Sequence, residues 1–182
     1  MTSIGEHAAV ILREQAAVIS RVNTEELTRL SAAMRQAERI FVLGEGRSGL
    51  VMRMLAVRLM HLGQPTFVVG ETTTPAIAAG DLLIACSGSG ETAVTCLLAE
   101  KAKAAGATIA AFTADAASRL ANAANVVVTV PTQHKGGTAG VATAQYGASL
   151  FEQCTLVLCE AIVLKVTPTP QHELVARHAN LE

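Results

Sequence analysis

Between residues 4 and 37 the apolar positions Ile11, Val18, Ile19, Val22, Leu27, Leu30 and Met34 recur at helical spacing. The polar stretch Asn23-Thr24-Glu25-Glu26 interrupts that stripe and reads as a helix start, with Asn23 as N-cap and Glu26 three residues on. Two helices, or one kinked helix, therefore precede the first strand, at residues 39–43. Gly44-Glu45-Gly46-Arg47-Ser48-Gly49 follows at once and opens a helix to about residue 62, where Gly63 stops it. The pattern then repeats as strand 66–69, the turn-rich 71–75, strand 82–86, helix 92–105, strand 108–112, a short helix near 116–123 and strand 126–130.

Strands alternating with helices predict a doubly wound α/β fold, a five-stranded parallel sheet covered on both faces, because right-handed crossovers put the helices outside it. The polar, glycine-containing segment 131–138 reads as a loop. Residues 146–166 then return as a long, nearly all-round apolar helix, of the kind buried in a core or at a subunit contact. Pro168 and Pro170 end it, and a short helix carrying His172 and His178 closes the chain. Helical arms are thus expected at both ends. No repeat of solenoid period and no low-complexity linker interrupts the pattern.

Composition narrows the picture. A chain of 182 residues suits one well-buried domain. Hydrophobic residues make up 51% and aromatics only 3%, so the core must be packed from small and branched aliphatics, as buried parallel strands are. A net charge of −1 gives no electrostatic footprint for nucleic acid or an anionic membrane. His7, Arg13 and Glu14 occupy the region where a signal peptide would need an apolar core, which predicts a soluble, cytoplasmic protein. Cys86, Cys96, Cys154 and Cys159 lack C-x-x-C spacing and read as reduced, mostly buried thiols.

The candidate chemistry lies in Ser87-Gly88-Ser89-Gly90-Glu91-Thr92, between an apolar run and a helix. Converging N–H groups, hydroxyl donors and a helix N-terminus together make a phosphate cradle. The alternative is a plain loop of turn formers. No lysine follows the second glycine, so the nucleotide P-loop pattern is absent. In a sheet of order 2-1-3-4-5, the loops leaving strands one and three diverge at a ligand-binding crevice. Gly44 to Gly49 and Ser87 to Thr92 would then face each other, and Arg47 and Ser48 would add donors. Gly44, Gly46 and Gly49 also spell G-x-G-x-x-G. A nicotinamide enzyme needs in addition an acidic residue about 20 positions on and a substrate domain, and little chain remains for the latter.

Gly46-Arg47-Ser48-Gly49, Met60-His61-Leu62-Gly63, Val69-Gly70-Glu71-Thr72-Thr73-Thr74-Pro75, the Ser87 to Thr92 turn, Leu150-Phe151-Glu152 and the terminal Ala176-Arg177-His178-Ala179-Asn180-Leu181-Glu182 together resemble the 6-phospho-3-hexuloisomerases, a family of the sugar isomerase (SIS) superfamily. The resemblance spans nearly the whole chain. It implies a flavodoxin-like SIS domain that interconverts D-arabino-hex-3-ulose 6-phosphate and fructose 6-phosphate in the ribulose monophosphate route of formaldehyde assimilation. It also implies no cofactor, no metal and a homotetramer. Gly46, Arg47, Ser48 and the run Ser87, Gly88, Ser89, Gly90, Glu91 and Thr92 would bind the substrate phosphate, and Glu152 would be the proton-transferring base. The approach to Glu152, Gln145-Tyr146-Gly147-Ala148-Ser149-Leu150-Phe151, departs from the family's common Pro-Leu-Gly-Ser/Thr-x-Phe-Glu.

Moving a carbonyl from C3 to C2 takes a proton off C2 and delivers one to C3 through an enediol, work for one partly desolvated carboxylate. Glu152 is equally suited to favour a helix dipole at the start of its own helix. His61 and His178, read from the residues, are a helix-end side chain and a tail side chain; the resemblance implies that they polarise the substrate oxygens. His7, His134 and His172 have no such support. Glu91 is either a second acid/base group or an orienting residue of the loop. Arg47 pairs either with phosphate or with Glu71 or Glu91, and the charge left uncompensated by a serine cage favours the phosphate. A non-catalytic sugar-phosphate sensor, or an isomerase of another phosphosugar, would share the cradle. The apolar segment 150–166 and the N-terminal stripe exceed what one sheet needs, which predicts subunit contacts. The tail carrying His178 is expected to extend to a neighbouring subunit's crevice.

Overall fold

The computed structural model describes residues 2–133, 140–166, 171–178 and 180. Two helices come first, α1 (Ile4–Ile19) and α2 (Thr24–Gln36), so the break at Asn23 separates them rather than kinking one. Asn23 caps α2 by accepting the Glu25 N–H at 2.9 Å. Glu26 does not complete the expected capping box. Its carboxylate accepts the Thr129 N–H at 2.8 Å, satisfying a donor at the sheet edge that would otherwise be unpaired. A capping box does occur at Ser3 and Glu6, at the start of α1.

The alternating part follows as β1 (Ile40–Gly44), α3 (Gly46–His61), β2 (Thr66–Val68), β3 (Leu82–Cys86), α4 (Ala93–Ala104), β4 (Thr108–Thr113), α5 (Arg119–Ala123) and β5 (Val126–Thr129). Every pairing is parallel and the strand order is β2-β1-β3-β4-β5. Because side chains alternate along a strand, each strand feeds two cores. Ile40, Val42, Leu82 and Ile84 pack with α2, α3 and the last long helix, α6 (Ser149–Val166). Phe41, Leu43, Leu83 and Ala85 pack with α4 and α5, whose contacts are mainly Cys96, Ala99, Ala102 and Leu120. The paucity of aromatics is thus met by close approach of small side chains on this second face.

α6 begins at Ser149, three residues later than the apolar run suggested. Gly147 disfavours helix, and the Ser149 hydroxyl donates to the Tyr146 carbonyl at 2.8 Å, closing a turn instead. Its buried positions run from Leu150 to Val163, while Val157 and Leu164 stay exposed. α3 and α6 lie side by side in the same sense, tied near their starts by Arg47 to Glu152 and near their ends by Arg58 to Glu160. A short helix α7 (Gln171–Ala176) follows, and Arg177 Nη1 donates to the His61 carbonyl at 2.9 Å. The tail therefore folds back on its own α3. Pro168, Pro170, His134 with the rest of 134–138, and Ala179, Leu181 and Glu182 lie outside the described residues, as does the side chain of His172.

The four cysteines are free and buried. No helix among the described residues is long and apolar enough to cross a membrane.

Candidate active site

β1 and β3 are neighbours, so the turns that leave them open into one crevice, where a cavity of about 700 Å³ lies. Gly44 and Gly49 owe their identity to close packing here. A Cβ on Gly49 would sit 2.4 Å from the Gly44 carbonyl oxygen, so the strand end and the start of α3 can touch only without side chains. This contact accounts for two of the three glycines in the G-x-G-x-x-G pattern. Ser48, on the first turn of α3, is buried and lines the cavity.

The second turn is fixed from several sides. Ser87 N donates to the Phe112 carbonyl at 3.0 Å, the Gly88 carbonyl accepts from Ala114 N at 2.9 Å, and the Gly90 carbonyl accepts from Leu120 N at 3.0 Å. The Ser87 and Thr92 hydroxyls lie 2.9 Å apart. Ser87 Oγ also accepts the Gly90 N–H at 3.2 Å, and Ser89 Oγ accepts that of Glu91 at 3.2 Å. Among the described residues the N–H groups of Gly88 and Ser89 have no acceptor in the chain. With Ser48, Ser87, Ser89 and Thr92 all lining the cavity, the arrangement offers hydroxyl and backbone donors to one anion at the head of α4.

Glu152 sits on the first turn of α6 and is 8% exposed. Its neighbours Ala148 and Phe151 line the cavity, and its carboxylate accepts from Arg47 Nε. Arg47 therefore holds neither Glu71 nor Glu91. Glu71 pairs with Arg53, and Glu91 accepts the Arg119 N–H at 2.7 Å, joining the turn to the start of α5. Cys86 lines the cavity, bonded by the Ser48 hydroxyl and within reach of the Glu152 charge. Burial pushes its thiol up to about 12, the Ser48 hydroxyl bond opposes the rise, and the Glu152 charge adds to it. It stays a neutral thiol, not a nucleophile.

The structure brings Ser48, Ser87, Gly88, Ser89 and Thr92 together in one cavity lining, with Glu152 beside it through Ala148, Phe151 and its bond to Arg47, while Gly46, Arg47, Gly90 and Glu91 lie on the same segments outside that lining. It does not bring His61 and His178 to them. Those two imidazoles stack on each other, 4.9 Å between centroids and 24° between planes, at the far end of α3. That helix has 16 residues, a length of about 24 Å. Burial, then the charges of His178 and Arg58, hold His61 below its ordinary value. No group of three or more His, Cys, Asp or Glu side chains among the described residues could hold a metal ion.

Sequence reasoning missed a further wall of the cavity. Thr143, Gln145 and Tyr146 form it, together with Gln133 and Glu45. The available signal was the return of polar residues directly before α6, on the stretch where the approach to Glu152 departs from the expected pattern.

Comparison with known proteins adds the following. A family model described as SIS domain matches residues 33–160. The 3-hexulose-6-phosphate isomerase of Mycobacterium gastri is 45% identical over 182 residues, covering 98% of this chain and 92% of that protein. The one from Bacillus subtilis is 36% identical, covering 97% and 98%. The crystal structure of a Methanococcus jannaschii protein, for which a 3-hexulose-6-phosphate isomerase function was inferred, superimposes with a TM-score of 0.85 at 27% identity, covering 97% of this chain and 99% of that one.

Proposed function

From the premise that this chain belongs to the SIS-domain family, within its 3-hexulose-6-phosphate isomerases, we propose that it interconverts D-arabino-hex-3-ulose 6-phosphate and D-fructose 6-phosphate. The observation that carries this reading is a buried carboxylate, Glu152, placed beside a cavity whose other side is a cradle of hydroxyl and N–H donors. The cradle holds the phosphate and so fixes the distance of every carbon from it. Glu152 takes the proton from C2, exchanges it with solvent and delivers one to C3, while the C2 hydroxyl becomes a carbonyl and the C3 carbonyl a hydroxyl. Arg47 occupies the carboxylate in the free chain. A phosphate dianion is a competing partner for its guanidinium, and transfer to the ligand leaves Glu152 free to act as base.

The hydroxyl protons need a second group. His61 and His178 are suited to it, but within one chain they lie a helix length away, so they serve a neighbouring chain's cavity in a homotetramer. Leu50, Met54 and Val57, exposed at helical spacing on α3, supply an apolar face for such a neighbour.

The test is incubation with hex-3-ulose 6-phosphate in deuterated buffer, following appearance of fructose 6-phosphate and its deuterium content. Turnover with label at the exchanged carbon is expected. Tight hexose phosphate binding without turnover would make the chain a sensor. Turnover of a different phosphosugar would keep the mechanism and replace the substrate.

A further inference from the structure

The cavity wall formed by Thr143 and Gln145 is held by α1. Glu14 Oε2 accepts from the Thr143 hydroxyl at 2.6 Å and from Gln145 Nε2 at 3.1 Å, and its Oε1 accepts from the Ala144 N–H at 2.8 Å. Gln145 Oε1 in turn accepts from Gln153 Nε2 at 2.8 Å, and Gln153 Oε1 accepts from Gln15 Nε2 at 2.9 Å. One helix 130 residues away in sequence thus grips both the wall and the second turn of α6.

This chain of bonds has a direction. Burial pushes the Glu14 carboxyl up, and the bonds from Thr143, Ala144 and Gln145 more than reverse that, leaving it below its ordinary value. A carboxylate only accepts, so the nitrogen of Gln145, not the oxygen, must face it. The Gln145 oxygen is already taken by Gln153. An amide nitrogen carries two N–H groups, and only one goes to Glu14, on a residue that lines the cavity. A remaining donor suits a ketone oxygen, which can only accept, and suits it better as that oxygen gains charge.

We propose that Glu14 is a positioning residue of the sugar-binding wall, turning Gln145 so that its second amide N–H donates to an oxygen on the carbon chain of the bound phosphosugar. The inference rests on the phosphosugar reading above and adds to it the wall that reads the sugar. Glu14→Gln keeps the shape but sets an NH2 group either against the Thr143 and Gln145 donors or against the Ala144 N–H, so one side of the grip on the wall is broken in either orientation.

The experiment measures dissociation constants of fructose 6-phosphate and of inorganic phosphate for the native protein, Glu14→Gln, Gln145→Ala and the double variant, with melting temperatures. Phosphate reads the cradle alone; the sugar phosphate reads cradle and wall. Glu14→Gln should weaken fructose 6-phosphate about tenfold, the worth of one hydrogen bond, and leave phosphate unchanged. The double variant should bind no more weakly than Gln145→Ala, since Glu14 acts through Gln145. An unchanged ratio in Glu14→Gln, additive losses, or equal weakening of both ligands with a lower melting temperature would each overturn the assignment. A native protein with no preference for the sugar phosphate over phosphate would instead sink the substrate reading, and this one with it.

Discussion

Gly90→Ala tests whether the cradle is as tightly set as its bonds imply. Gly90 has φ +66°, and a Cβ there would lie 2.0 Å from Ser118 Oγ and 2.9 Å from Thr113 Oγ1. The left-handed conformation costs an alanine roughly 1–2 kcal/mol. Relief by moving the turn is blocked, because the Gly90 N–H is held by Ser87 and its carbonyl by Leu120 and Cys96. Ser118 must move instead. Its hydroxyl donates to the Asp115 carbonyl at 2.7 Å and caps α5, and loss of a cap costs about 1 kcal/mol. The sum is roughly 2–3 kcal/mol, a fall in melting temperature of about 4–12 °C for a chain of this size. Gly46 provides the internal control, since it has φ +56° with nothing within 4 Å of a Cβ. Gly46→Ala should therefore lose only the torsional part, about 3–6 °C. Calorimetry of both variants reads the difference, and titration with inorganic phosphate should show Gly90→Ala binding close to the native protein, since Ser118 moves and the turn stays. Equal melting temperatures for the two variants would refute the close contact between this turn and the start of α5.

The other predictions concern the base, the cradle and the histidine pair. Glu152→Gln should lower kcat about 10²- to 10⁴-fold with phosphate affinity undiminished, as steady-state kinetics and calorimetry will read. Stability should change by about 1 kcal/mol or less, because Arg47 is mostly exposed and an amide oxygen still accepts from it. Ser89→Ala and Thr92→Ala should raise KM more than they lower kcat, since phosphate contacts are made in ground and transition state alike. His61, with its folded value lowered by burial, His178 and Arg58, binds a proton less readily folded than unfolded. Its contribution is intact above about pH 6.5 and declines as pH falls below it, so melting temperatures between pH 7.5 and 5.5 should drop less in His61→Gln than in the native chain. Hybrid oligomers of Glu152→Gln and His178→Ala chains should recover part of the activity if the histidines act across subunits; no recovery after subunit exchange would remove them from the neighbour's site.

The fold was legible because its signals are local. β3 was found to the residue, and β1, β2, β4 and β5 to within a residue at either end, since short apolar runs between glycines have few other uses in a chain of alternating helices. The strands take the order common to open five-stranded parallel sheets, and that order alone set the two turns side by side. Errors arose where a side chain had a distant alternative. Glu26 satisfied the spacing of a capping box, yet an edge strand offered it an unpaired N–H from across the fold.

The site was legible only in the part built from turns. Ser48 and the run from Ser87 to Thr92 sit at strand ends, so knowing the sheet places them. Glu152 and Arg47 sit on helices 105 positions apart, and their meeting depends on which face of α6 packs on α3 and on a parallel alignment that no periodicity records. A nearly all-round apolar helix such as α6 is especially uninformative, because it presents no polar stripe from which to infer its rotation. The same holds for Glu14, an ordinary acidic residue on the polar side of an amphipathic helix until α1 is laid against the cavity wall. His61 and His178 show the converse. Each belongs to a recognisable motif, but the packing that stacks them together also carries them a full helix length from the carboxylate. A base at one end of α3 and its polar partners at the other can share a substrate only if two chains align those ends, which makes assembly a requirement of the proposed chemistry and not merely a consequence of exposed apolar surface.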